Sequence, residues 1–183
     1  MTTWRYFAGA AMAAVMLMGV AAQAGAASAE KIDRRVKIAL EDFKTEVKSA
    51  ESLLKRAVGV LVFPSVKKAG IGIGGEYGEG ALLVGGRTEA YYSTAAASIG
   101  FQLGAQARTQ ILLFMEDRAL ERFRASDGWE AGVDGSIAVI TLGAGGAIDT
   151  TATNEPIIAF IFNNKGLMYN LSLEGSKFTE IER

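Results

Sequence analysis

Lysine and arginine carry most of what this sequence offers to chemistry. Lys31, Arg34, Arg35 and Lys37 fall within two turns of one helical segment, and Lys67 and Lys68 form a second basic spot just after Pro64. On a helix that also has an apolar face, such cations make the rim by which a helix lies along an anionic surface. At ~1 kcal/mol per basic residue near that surface, the helical four contribute at most ~4 kcal/mol, from which Asp33, Glu41 and Asp42 subtract. Lys67 and Lys68, beside the backbone amides of Gly70 and Gly72, have the makings of a phosphate seat. Two plainer readings compete: a helix that simply packs its stripe on a sheet, and a solvated basic turn.

Other chemistries find less support. The chain has neither histidine nor cysteine, which removes the usual neutral-pH base, imidazole and thiolate metal sites, disulfides and an acylated lipobox cysteine. Carboxylate pairs at Glu76 with Glu79 and at Glu130 with Asp134 could form an acid–base couple, but they sit beside glycines and turns where solvated acids are expected. Two S-x-x-K matches, Ser52 to Lys55 and Ser65 to Lys68, lack the companion motifs of serine–lysine acyl transfer. Gly70 to Gly75 fits G-x-G-x-x-G to the letter. The chain that follows is too rich in glycine and alternation to open the helix a pyrophosphate needs, and Gly143 to Gly146 fails the match outright. A sequon at Asn170-Leu171-Ser172 has meaning only in a eukaryotic exporter. The expectation is no enzyme, no cofactor and no metal. A net charge of −1 gives no electrostatic case for nucleic acid.

What must position the basic residues begins with a leader. Arg5 precedes an apolar run from Tyr6 to Ala22, and A-x-A sites end at Ala24, Ala26 and Ala29, so residues 1–29 are expected to be a signal peptide. The first and last of these sites are the preferred cuts. An uncleaved anchor is the alternative, at the short end of the ~17–25 residues that span a bilayer. Residues 30–183 are then a single domain, large enough to fold without crosslinks. Its location is periplasmic or extracellular, peripheral on a membrane, and the alanine-rich leader has a bacterial look.

From Glu30 to Val58 apolar residues recur at steps of three and four, which predicts one amphipathic helix. Thereafter the period is two. Strands are expected over 58–63, where Pro64 stops the run, then 70–77, 80–85, 89–94, 97–107, 109–115, 129–141, 156–163 and 166–173, with a hairpin at Asn163 to Gly166 and loops at 126–128 and 149–154. Glu116 to Ala125 interrupts them as a short helix. Tyr91 and Tyr92 point to opposite faces, and Trp129 is either a core plug or an interfacial anchor. The glycines from Gly70 to Gly80, with Ile71, Ile73 and Tyr77 between them, leave one face of a strand nearly bare, so that the sheet coils or another element lies flat on it. The fold class is α+β: an N-terminal amphipathic helix packed on a largely antiparallel, glycine-rich, strongly coiled sheet or partly closed barrel, with one short helix between strands.

The blocks AVGVLVFPSVKKAGIGIGGEYGEGALL (Ala57 to Leu83), YYSTAAASIGFQLGAQ (Tyr91 to Gln106), ILLFMEDRALERF (Ile111 to Phe123) and KGLMYNLSLEGSK (Lys165 to Lys177) together resemble the SYLF-domain family. The resemblance implies the same fold and a non-catalytic domain that binds lipid, with anionic phospholipid or a membrane surface as partner. Actin is implied only for eukaryotic relatives, and a protein partner stays unknown. An N-terminal helix like that carrying Lys31, Arg34, Arg35 and Lys37 is the element implied to meet the membrane. The alternatives are a small outer-membrane barrel and a structural envelope protein that binds another protein.

Overall fold

The computed structural model describes residues 27–142, 155–165, 173 and 175–183. Residues 1–26 of the leader, the glycines at 143–146, the loop at 149–154, the sequon and most of the expected strand 166–173 lie outside them.

Two helices come first, α1 (Ala29–Glu46) and α2 (Ala50–Arg56). The expected single helix is broken at Val47, whose extended backbone places its amide on the Phe43 carbonyl and its side chain in the core. The stripe of Ile32, Val36, Ala39 and Phe43 faces the sheet and is buried.

Strands β1 (Gly59–Val84) and β2 (Arg87–Phe114) form one antiparallel hairpin that replaces six expected strands. Gly85 and Gly86, both at positive φ, make its turn. Pro64 does not end the strand. It sits at a register shift between Phe63 and Val66, where a missing amide donor is tolerated. A second shift lies between Gly70 and Gly72, and beyond it the hairpin bends back on itself. A Cβ on Gly80 would collide with the Val62 carbonyl oxygen and, at 2.7 Å, with the Phe63 ring; one on Gly78 would lie 2.8 Å from the Val66 side chain. The bare face expected from the glycine spacing thus receives an earlier part of the same strand.

Helix α3 (Asp117–Ala125) follows as expected, then β3 (Trp129–Glu130), β4 (Ala138–Thr141), β5 (Ile157–Lys165) and β6 (Lys177–Ile181). The expected strand 129–141 is only its two ends, because Glu130 to Gly135 forms a turn in which the Asp134 side chain takes the Glu130 amide. β2 is the spine. One of its edges carries β1 throughout; the other carries β6 at Tyr91 to Ala95 and β5 at Ala107 to Phe114. β4 runs parallel to β5, so the otherwise antiparallel sheet is mixed. The result is α+β, a strongly curled half-barrel.

Alternation along the strands builds two cores. Leu61, Phe63, Leu112, Phe114, Ala159 and Ile161 point inside the curl, where Phe123, Trp129 and Phe178 close over them. Val62, Ala81, Ile111, Leu113, Phe160 and Phe162 point outward under α1 and α2. Phe43 meets Phe160 and Phe162 at 4.8 and 5.9 Å between ring centroids. That part of the outer wall is covered by helix and does not face lipid.

Candidate functional site

Because α1 commits Ile32, Val36, Ala39 and Phe43 to the sheet, the intervening Lys31, Arg34, Arg35 and Lys37 are all turned to solvent. The acids that should weaken this row are engaged elsewhere. Asp33 accepts hydrogen bonds from the Thr88 hydroxyl at 2.9 Å and the Tyr91 hydroxyl at 3.0 Å, tying α1 to the start of β2. Asp42 accepts from the Asn163 amide at 3.1 Å, and Glu41 pairs with Lys44 at 2.6 Å. The helix thus packs on the sheet and presents a cationic rim together, where the sequence set these as competing readings. Ile38 lies one turn beyond Arg34 and Arg35 on the same outer surface and is 57 % exposed.

Lys31 and Arg35 do more than line a helix face. With Lys67 they rim a cleft of about 200 Å³ floored by Ile32, Pro64 and Gly78, where the recrossing of β1 passes under the first turns of α1. Arg34, Lys37 and Lys68 do not line it. Lys67 and Lys68 belong to a strand instead of a loop, so they alternate in direction, Lys67 exposed and Lys68 half-buried. Gly70 and Gly72 are also extended, paired with Gly104 and Gly100, which is ladder backbone and not the concave turn that cradles phosphate. The same strand continuing through Gly75 removes the dinucleotide reading.

At one wall of the cleft stands Glu79. Its Oε1 accepts from the Tyr77 hydroxyl at 2.9 Å and from Arg183 Nη2 at 2.7 Å, and its Oε2 accepts from the Ala27 amide at 2.9 Å. Burial pushes the carboxyl pKa up, but the donated hydrogen bonds and the Arg183 charge outweigh it and hold the pKa below the usual carboxylate value. Burial and the Glu79 carboxylate raise that of Tyr77. Among the described residues, Lys31, Arg34, Arg35, Lys37, Lys67 and Lys68 enter no ion pair.

Neither carboxylate pair becomes an acid–base couple. Glu76 and Glu79 point to opposite faces of β1. Glu76 is inside the curl, 2.8 Å from Arg108 and 3.5 Å from the Ser176 hydroxyl. Asp134 braces its own turn. Tyr92 is core, Tyr91 half-buried beneath α1, and Trp129 a plug 5.7 Å from Phe123. Among the described residues no three carboxylates are grouped to hold a metal, and no helix is long and apolar enough to cross a membrane.

The model of the family described as Ysc84, Las17-binding protein actin regulator, matches residues 95–183. This part of the chain belongs to the Ysc84, or SYLF, family. The Ysc84 match opens at Ala95, within β2, and takes in Arg108, α3, β5, β6 and Arg183, the partners that β1 and α1 fold against. All six basic residues named above precede it. No curated protein matches the chain. The SYLF family is one of binding domains.

Sequence reasoning missed Glu79 as a cleft wall, together with Arg183 and Ile38. Arg183 had no readable signal, since its partner is 104 residues away. Ile38 stands out only once the helix's buried stripe is known.

Proposed function

We propose that this Ysc84-family domain is a non-catalytic lipid-binding module of the cell envelope that attaches to anionic membrane surfaces through the outer face of α1 and the neighbouring cleft. The observation that carries the reading is the set of six exposed or half-buried cations, none ion-paired among the described residues, on and beside a helix whose Asp33 and Asp42 are held by hydrogen bonds to the sheet. Lys31, Arg35 and Lys67 converge from two elements on one cleft, which suits a phosphate-bearing headgroup, while Ile38 supplies an apolar contact beside them. The family description names an actin regulator. Exported as its leader implies, this chain meets bacterial anionic lipid and no actin.

Vesicle flotation tests the proposal. The protein should float with anionic phospholipid vesicles and stay behind with zwitterionic ones, and salt should release it, because ~1 kcal/mol per cation is a screened interaction. Reversing Lys31, Arg34, Arg35 and Lys37 to Glu should abolish flotation. Equal recovery on both vesicle types would refute membrane attachment, and unchanged flotation of the reversed variant would refute this face as the contact.

A further inference from the structure

We propose that the polypeptide is cut between Ala26 and Ala27, and that the α-ammonium group so created docks on the Glu79 carboxylate. The geometry is already in place. Ala27 nitrogen lies 2.9 Å from Glu79 Oε2, a contact across 52 positions of sequence, whereas Oε1 of the same carboxylate is shared by Tyr77 and Arg183. The other oxygen is thus taken by the Ala27 nitrogen. The side chain of Glu79 is 10 % exposed and that of Arg183 18 %, so the seat is largely screened from water.

Three small-x-small sites end at Ala24, Ala26 and Ala29. They differ in what each leaves for the fold. A cut after Ala29 starts the chain inside α1 and deletes both the Ala27 donor and the Ser28 carbonyl, which accepts the Lys31 and Ile32 amides at 3.0 Å each. A cut after Ala24 retains Ala27 as a neutral mid-chain amide. A cut after Ala26 turns that same nitrogen into a cation facing a carboxylate, and a charge-assisted hydrogen bond is roughly twice as strong as a neutral one. It also leaves Ser28 and the first turn of α1 whole. The middle site, not favoured by sequence alone, is therefore the one the fold completes.

The step is hydrolysis by an export peptidase that reads small residues before the cut. Water adds across the Ala26–Ala27 peptide bond. The carbonyl carbon of Ala26 takes the hydroxyl and departs as a carboxylate with the leader, and the Ala27 nitrogen takes protons to become the ammonium.

The test is the intact mass and N-terminal sequence of the full chain after export from a bacterial host. A product beginning at Ala27 is expected. One beginning at Gly25 or Glu30, or retaining the leader, overturns the proposal. The ion pair has its own readout, the pH dependence of selective α-amine acylation, since only the neutral amine reacts. A carboxylate partner holds the amine protonated, so at neutral pH the Glu79→Gln protein should acylate about tenfold faster, equivalent to one pKa unit. Equal rates overturn the docking even if the cut is right. The mass measurement needs no variant, so a misfolded Glu79→Gln protein leaves the cleavage arm decisive.

Discussion

Glu76 and Arg108 meet at 2.8 Å inside the half-barrel, with side chains 6 % and 2 % exposed respectively. They lie far apart in register, Glu76 opposite Ala96 and Arg108 opposite Val66, and only the backward bend of the hairpin brings them together. Removing one partner leaves the other as a buried charge without its counter-ion. Glu76→Leu or Arg108→Met alone should lower stability by ~3–5 kcal/mol, while the double variant should lose much less or nothing. Denaturant titration of the three proteins checks this, and additive losses would contradict it.

Gly80 should tolerate no side chain. Its Cβ would enter the Val62 carbonyl oxygen, which is backbone and cannot yield, so Gly80→Ala should cost at least ~1–3 kcal/mol. Gly75 is the control: its Cβ would have the Ala96 oxygen at 3.7 Å as its nearest neighbour, and Gly75→Ala should be neutral or stabilising by up to ~1 kcal/mol. Thermal melts of the pair separate recrossing of the strand from a general intolerance of alanine.

Stability should fall at both ends of the pH scale. Burial, with help from the nearby Glu180 carboxylate, pushes the Tyr92 hydroxyl up to about 12 from 10.0. A phenol whose folded pKa is raised adds stability below its unfolded pKa and loses that stability as pH rises through the folded one. The alkaline loss between about pH 10 and 12 should be smaller in Tyr92→Phe, as followed by tyrosinate absorbance and unfolding together. Glu79 has the opposite sign. Its folded pKa is lowered from 4.5, so its contribution is present above that value and disappears as acid protonates it, and Glu79→Gln should flatten the acid limb.

Ile38 separates membrane attachment from helix packing. It is exposed while Phe43 is fully buried on the opposite side of α1. Ile38→Ser should leave the melting temperature within about a degree or two, as surface changes usually do, yet reduce recovery with anionic vesicles several-fold. Phe43→Ala should do the reverse first, destabilising by ~3–5 kcal/mol through loss of its contacts with Phe160 and Phe162.

Local pattern was enough where one side chain decides its own surroundings. The three- and four-residue steps from Ile32 to Phe43 gave α1 and, by elimination, the outward direction of Lys31, Arg34, Arg35 and Lys37. Leu120 and Phe123 gave α3 in the same way. What stayed hidden depends on distant partners. Pro64 reads as a stop because a ladder position without an amide usually is one, but a bulge absorbs it. The glycine run reads as several short strands because each glycine weakens a strand locally, and only the surface received at Gly78 and Gly80 shows that the breaks are bends. The cleft was half legible, since its cations are visible in the sequence while their convergence with Lys67 requires the recrossing.

The doubled use of β2 has a consequence for how the protein comes into being. Phe178 sits on β6, 5.6 Å from Phe63 and 5.8 Å from Trp129, so the inner core is unfinished until that ring arrives. A nascent polypeptide can assemble the long hairpin and its helical cover early, but the curl stays unsealed while residue 178 is still held in the ribosome. Emergence of the tail and closure of the half-barrel interior are thereby a single event, and a chain still under synthesis is kept from premature collapse into its final shape.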